Sequence, residues 1–162
     1  MPDSDLPHVT VAAIIERDGR FLLVEEHTPQ GLRLNNPAGH LEAGESLLQA
    51  VVRETLEETA HDFSPTALLG VYQSHGLRAG RGVHYVRFAF CGDLGARHAG
   101  RALDAGIVRT LWLSLDDLRA NHERLRSPSV LQCAIDHAAG MRWPLQLLHP
   151  DAALQQGLRR AP

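Results

Sequence analysis

Cysteine is scarce: Cys91 and Cys133 are the two in 162 residues, and neither stands in a CxxC or at a ligand spacing from a histidine. A disulfide framework and a thiolate zinc site are thereby excluded, and a reducing, cytoplasmic setting is expected. No apolar run approaches the roughly 18 residues that a membrane-spanning helix needs. The N-terminal MPDSDLPHVTV has no basic segment ahead of an apolar one, so neither a leader nor a membrane partner is expected. Basic runs are also missing. With a net charge of -3 and a pI near 6.3, and with Arg78 and Arg81 only a local pair, the chain has no stripe that would displace counterions from nucleic acid. Internal repeats and low-complexity segments are absent too.

What is present suits one folded unit. An apolar content of 44% with both charge signs interspersed predicts a single domain over residues 1–162, with 1–6 and about 150–162 as peripheral tails.

Acid is concentrated in one place, GHLEAGESLLQAVVRETLEETA, where Glu42, Glu45, Glu54, Glu57 and Glu58 lie between Gly39 and Ala60. Ser46 followed three positions later by Gln49 is a capping box, which predicts a helix from Leu47. Helical periodicity puts Leu48, Val51, Val52, Thr55, Leu56 and Thr59 on one stripe and Glu54, Glu57 and Glu58 on another face. Each like-charge pair at that spacing opposes the helix by a few tenths of a kcal/mol, roughly. Arg53, four residues before Glu57, offsets part of this; a divalent cation held by oxygen ligands would offset more. Carboxylates without a neighbouring thiolate favour Mg²⁺ or Mn²⁺ over zinc. An acidic helix face can also be a solvated face, and a calcium loop would need Asp or Asn alternating around glycine, which is missing.

The order Gly39, five residues, Glu45, seven residues, Arg53-Glu54-Thr55-Leu56-Glu57-Glu58 resembles the Nudix box, GX5EX7REUXEEXGU with U aliphatic. Thr55, Ala60 and His61 depart from it, without removing a carboxylate. Ala60 stands where the family has glycine, which implies a strained left-handed cap or a longer helix.

Elsewhere, HVTVAAIIERDGRFLLVEEH reads as two strands around an Asp18-Gly19 hairpin turn. ALLGVYQSH and VHYVRFAFCGDL read as strands separated by a flexible loop, GLRAGRG, and IVRTLWL as another strand. Ser114 with Asp116 and Asp117 opens a short helix, and Ser127-Pro128 caps a later one over SVLQCAIDHAAG. The pattern alone gives α+β. The resemblance implies the Nudix α/β/α sandwich, a mixed β-sheet between helices, and Trp112 resembles the tryptophan that often follows the family's last strand.

The resemblance also implies roles. Glu57 and Glu58 correspond to metal ligands, Glu54 to a ligand or water-activating base, Gly39 to a backbone carbonyl ligand, and Arg53 with Glu45 to a pair that orients helix and loop. Asp104 is the nearest candidate for a distal acid, since Gly106 occupies the slot where the resemblance implies Glu. Substrate contacts are sought at Asn35, Arg33, Arg87 and Arg126, with Arg78 and Arg81 as further phosphate candidates and Tyr72, Tyr85 or Phe88 for stacking. Alternation puts Tyr85, Arg87 and Ala89 on one strand face and Val86, Phe88 and Phe90 on the other, with Arg87 expected in polar surroundings. Of the histidines, His40 stands beside Gly39 and is a candidate to approach phosphate.

PHVTVAA (7–13), NNPAGHLEAGE (35–45) and LRSPSV (125–130) narrow the resemblance to the NudJ-type phosphatase branch. This implies a Mg²⁺-dependent hydrolase, Mn²⁺ being an alternative, that acts on nucleoside di- and triphosphates or hydroxymethylpyrimidine diphosphate and releases orthophosphate. A pyrophosphohydrolase leaving nucleoside monophosphate, or a nucleotide sensor without catalysis, stays open beside it. The expected partner is a small molecule, with the protein a monomer or homodimer.

Overall fold

In the computed structural model, residues 6–78 and 80–157 are described, without the side chains of 77, 78 and 155–157. The Arg78 side chain and the outer parts of both expected tails therefore lie outside the described residues.

Asp18 and Gly19 both take positive φ, 51° and 76°, as a two-residue hairpin turn requires. The hairpin they close is short: β2 (Glu16–Arg17) pairs with the start of β3 (Arg20–Thr28). β1 (His8–Ile14) instead leaves for another sheet, running antiparallel to β5 (Ala38–His40) and parallel to β7 (Arg81–Arg97). The expected hairpin over the whole segment is thus corrected. A turn signal governs local pairing only, and a strand buried on both faces, as β1 is from Val11 to Ile14, finds its place between other strands.

The first sheet runs β5-β1-β7-β6, with β6 spanning His61–Arg78; in the second, β3 pairs with β2, β4 (Gly31–Asn35) and β8 (Ile107–Ser114). Instead of one sheet there are two, of which the first is mixed. β6 and β7 pair through Gly76↔Val83 and Leu77↔Gly82 out to Arg78↔Arg81, so most of the expected GLRAGRG loop is strand; ladder hydrogen bonds outweigh glycine's weak strand preference.

β1 shows the layering directly. Val11 and Ala13 pack with Ala50, Val51, Phe63 and Phe90 beneath α1 (Leu47–Thr59), whereas Ala12 and Ile14 pack with Leu69, Leu118, Val130 and Cys133 beneath α2 (Leu115–Ala120) and α3 (Pro128–Ala138). This is an α/β/α sandwich. Trp112 belongs to β8 itself, opposite Leu22, with the Arg17 guanidinium 5.2 Å from its ring centre.

α1 begins as its sequence predicts: Ser46 accepts from Gln49 N–H, and the Gln49 side chain accepts from Ser46 N–H. Its packed face is rotated from the expected stripe. Ala50, Val51, Glu54, Thr55, Glu58 and Thr59 are buried, while Leu48, Val52 and Leu56 are only half-buried. The threonines tolerate burial because their hydroxyls donate to Val51 and Thr55 carbonyls, at 2.8 and 2.6 Å. The helix ends at Ala60 in the left-handed conformation, φ 58° and ψ 25°.

Ser114 caps α2 in a capping box with Asp117. Ser127 precedes α3 but makes no side-chain cap; its hydroxyl lies 2.7 Å from that of Ser129 instead. Beyond α3, Trp143 exchanges backbone hydrogen bonds with Leu68 at the edge of β6, and Leu145 and Leu148 pack, partly buried, against the core beneath α1. No helix among the described residues is long and apolar enough to cross a membrane.

Candidate active site

The capping box fixes where α1 starts, and from there the 3.6-residue period aims Glu54 and Glu58 at β5 rather than at solvent. Gly39 is the contact: a Cβ added there would overlap the Glu54 carboxyl group. The Glu58 carboxylate accepts from Ala38 N–H at 2.9 Å. The acid face is therefore a packed face, with Glu54 and Glu58 each 8% exposed.

Arg53 ties this corner together. Its Nε and Nη2 donate to the two oxygens of Glu45 at 3.0 and 2.7 Å, Nη2 also to the His40 carbonyl at 3.0 Å, and Nη1 to Glu54 at 2.7 Å and Glu57 at 3.2 Å. Glu45 additionally accepts from Glu42 N–H. The expected Arg53–Glu45 pair is thus a bidentate clamp between helix and loop. Burial opposes ionisation of Glu45, yet the Arg53 hydrogen bonds and the Glu42 N–H hold its pKa below the ordinary value. Arg53 is pushed up, chiefly by its bonds to Glu45.

The metal candidates behave oppositely. Desolvation raises Glu54 despite Arg53, and it raises Glu58 to about 8, helped by the charges of Glu54, Glu26 and Asp104. Asp104 reaches this cluster from the loop before β8, where its N–H donates to the Glu57 carbonyl at 3.0 Å. Gly106 has φ 95°, a backbone that glutamate would rarely adopt. Among the described residues no three acidic, histidine or cysteine side chains are gathered as a metal-holding group; Arg53 draws oxygens of Glu54 and Glu57 to itself. The donor set nonetheless fits a hard divalent cation, being all oxygen, partly dehydrated and mutually repulsive.

The substrate candidates divide. Arg33 turns back to the Leu32 carbonyl at 3.0 Å and does not join the cluster. Asn35 is 6% exposed; its amide donates to Glu26 at 3.3 Å and its oxygen accepts from Arg87 Nη2 at 3.3 Å. Arg126 lies 3.6 Å from Glu26, and its backbone N–H donates to Leu34. Arg87 departs from expectation: its guanidinium is buried, desolvation lowers its pKa, and Nη1 has no hydrogen-bond partner among the described residues. Asn36, 2% exposed, has an unpartnered side-chain oxygen as well. Glu26 was missed by sequence reasoning. Its one signal is a carboxylate inside the strand RFLLVEEHT, and only long-range pairing shows that it faces Asn35.

A cavity of about 590 Å³ opens beside this region, lined by His8, Val9, His40, Leu41 and Glu42 among others. It borders the Gly39 loop without being lined by the helix carboxylates.

The chain is similar to known proteins in sequence and in fold. The NUDIX domain family model matches residues 6–132. The chain is 34% identical to Phosphatase NudJ of Escherichia coli (strain K12) over 142 residues, 88% of this chain and 90% of that protein. A NUDIX hydrolase structure from Nitrosomonas europaea superposes with a TM-score of 0.83 at 49% identity, covering 90% of this chain and 98% of the other. A MutT NUDIX hydrolase from Burkholderia pseudomallei, at 24% identity and a TM-score of 0.67 over 82% of this chain and 98% of the other, shares the fold. With its sandwich, its carboxylate helix and these relatives together, the chain belongs to the Nudix family and is a phosphohydrolase of the Nudix type.

Proposed function

We propose that this phosphohydrolase is Mg²⁺-dependent, with Mn²⁺ as a substitute, and that it cleaves nucleoside di- and triphosphates or related organic diphosphates, such as hydroxymethylpyrimidine diphosphate, to release orthophosphate. The observation that carries the reading is the convergence of Glu54, Glu57, Glu58 and the Asp104 loop at one corner clamped by Arg53. Glu54, Glu57 and Glu58, with the Gly39 carbonyl, would hold the cation, which when bound neutralises phosphate charge and makes a coordinated water a better nucleophile. Arg53 and Glu45 keep the helix in register with the loop. Glu54 serves as a ligand or as the base that takes a proton from water, and the rise that burial gives its pKa supports the second role. Asn35, Arg87 and Arg126 hold the substrate. The likeness to Phosphatase NudJ supports the release of orthophosphate.

The same reading has residues 1–162 as one domain, acting on a small molecule in the cytoplasm as monomer or homodimer. Both cysteines being free and buried accords with that compartment.

The test is phosphate release from a panel of nucleotides and hydroxymethylpyrimidine diphosphate with Mg²⁺, the first products resolved by phosphorus NMR. Orthophosphate is expected first, and Glu57→Gln and Glu58→Gln each lower turnover by about 10³-fold or more with the fold intact. Near-wild-type turnover in both variants would sink the metal assignment. Pyrophosphate and monophosphate as the initial products would move the cleaved bond and leave the hydrolase intact.

A further inference from the structure

The registers of the first sheet set Arg87 between Thr10 of β1 and Tyr72 of β6, with His40 of β5 on Thr10's far side. Two residues along, the next row holds His8 and Tyr85. Both rows share the sheet face of Ala12 and Ala89, which pack beneath α3. The rings form a continuous border: His8 and His40 lie 5.2 Å apart between centroids, and His8 and Tyr85 lie 5.4 Å apart. His8 and His40 also line the 590 Å³ cavity.

Beside this border stands the buried Arg87 Nη1, a donor without an acceptor among the described residues. Its cationic charge already faces Glu26 and Glu58, and Asn35 takes the other amino group. An anionic group placed here would meet the Glu26 carboxylate, whereas a neutral acceptor would satisfy the donor without that repulsion. A planar ring offers such an acceptor and a face for the aromatic border, in which His8 and Tyr85 are half-buried and His40 is exposed.

We propose that Tyr85, His8 and Arg87 form a specificity subsite that stacks a neutral heteroaromatic ring at the substrate's non-phosphate end and hydrogen-bonds an acceptor on that ring through Arg87 Nη1. The proposal rests on the hydrolase reading in placing the diphosphate at Glu54 and Glu58. It assigns Arg87 to the ring and not to a phosphate, and it adds His8 and Tyr85 to the site.

The experiment compares kcat/KM for a nucleoside 5′-diphosphate with that for ribose 5-diphosphate, which keeps the sugar and diphosphate but lacks the base. Wild type is expected to favour the base-bearing compound by about tenfold or more. Tyr85→Ala and Arg87→Gln each bring that ratio to within about threefold of unity, mainly through KM. In parallel, a non-cleavable α,β-methylene nucleoside diphosphate is bound to wild type with Mg²⁺, and nuclear Overhauser contacts are sought between base protons and the Tyr85 ring. A wild-type ratio near unity, a ratio unchanged in both variants, or bound ligand without Tyr85 contacts overturns the subsite. Tyr85 contacts without hydrolysis of either compound would remove the hydrolase reading and leave the ring subsite supported.

Discussion

Arg53 and Arg87 are both arginines set among carboxylates, and the fold uses them in opposite ways. Arg53 spends every nitrogen on Glu45, Glu54, Glu57 and the His40 carbonyl, and its pKa rises. Arg87 is deeper, holds Asn35 with one amino group, leaves the other unpartnered among the described residues, and its pKa falls. The first is a closed network whose members need one another for the fold. The second leaves hydrogen-bonding capacity that the folded chain does not consume, as a binding site does.

The sharpest way to break this contrast is the same substitution at both positions. Arg53→Met strands Glu45 and Glu54 without a counter-charge in a mostly buried corner, so it should cost about 3 kcal/mol of stability and most of the activity. Arg87→Met removes an incompletely satisfied buried cation and leaves a similar volume; stability should stay within about 1 kcal/mol of wild type or rise. Urea unfolding of both variants decides the matter. Equal losses would mean that Arg87 is a structural clamp too.

Next in size is Gly39→Ala. The added methyl overlaps the Glu54 carboxyl group, which is the movable end of a side chain, so the carboxylate can swing away at little cost to the fold. Displacing it from its position should nevertheless lower turnover by about 10²-fold. A variant with unchanged turnover, or one that unfolds, would show that Glu54 is not held by that backbone for chemistry.

The closed corner was far more legible in the sequence than the open one, for a physical reason. Ser46 with Gln49, Arg53 with Glu57, and Asp18 with Gly19 are interactions within four residues, governed by helix and turn geometry. Glu26, Asn35 and Arg87 meet only because β3 pairs with β4, β1 pairs with β7, and the two sheets pack together. Nothing local specifies those pairings, just as nothing in the Asp18-Gly19 turn revealed that β1 would leave its neighbour. The Nudix spacing singled out Glu54 and Glu58 as candidates, but not that they face inward. Helical periodicity read from apolar residues alone assigns carboxylates to the outside, and it fails for a helix whose acids are buried.

That burial gives a pH test. Glu58 is raised to about 8 from an ordinary 4.5, so between those values the folded chain keeps a proton that the unfolded chain has released. Stability from this group is greatest below pH 4.5 and is lost as pH climbs through about 8; the slope is negative across the window. In a chelator the loss should reach about 2 kcal/mol, less than the full linkage value because water and side chains relax. Mg²⁺ should restore stability at pH 8 by binding the ionised form. Thermal melts at pH 5 and pH 8, with and without Mg²⁺, check this, and Glu58→Gln should flatten the chelated profile. A wild-type melting temperature that rises from pH 5 to pH 8 in chelator would place the buried proton elsewhere.

The smallest expected effect lies at the C-terminal end of α1. Ala60 holds a left-handed backbone at φ 58°, which costs an L-residue with a Cβ about 1–2 kcal/mol relative to glycine. Against this, Ala60 is 0% exposed, and losing its buried methyl forfeits about 0.8 kcal/mol, while glycine's freer unfolded chain removes roughly another 0.5 kcal/mol. The terms nearly cancel. Ala60→Gly should therefore be stabilising by no more than about 0.5 kcal/mol, a rise of about 1–2 °C in melting temperature for a chain of this size. His98 N–H donates to the Ala60 carbonyl at 2.8 Å, and that bond needs only backbone, so it survives the change. A drop in melting temperature would show that methyl packing outweighs the left-handed strain, and that alanine is the better residue for this cap.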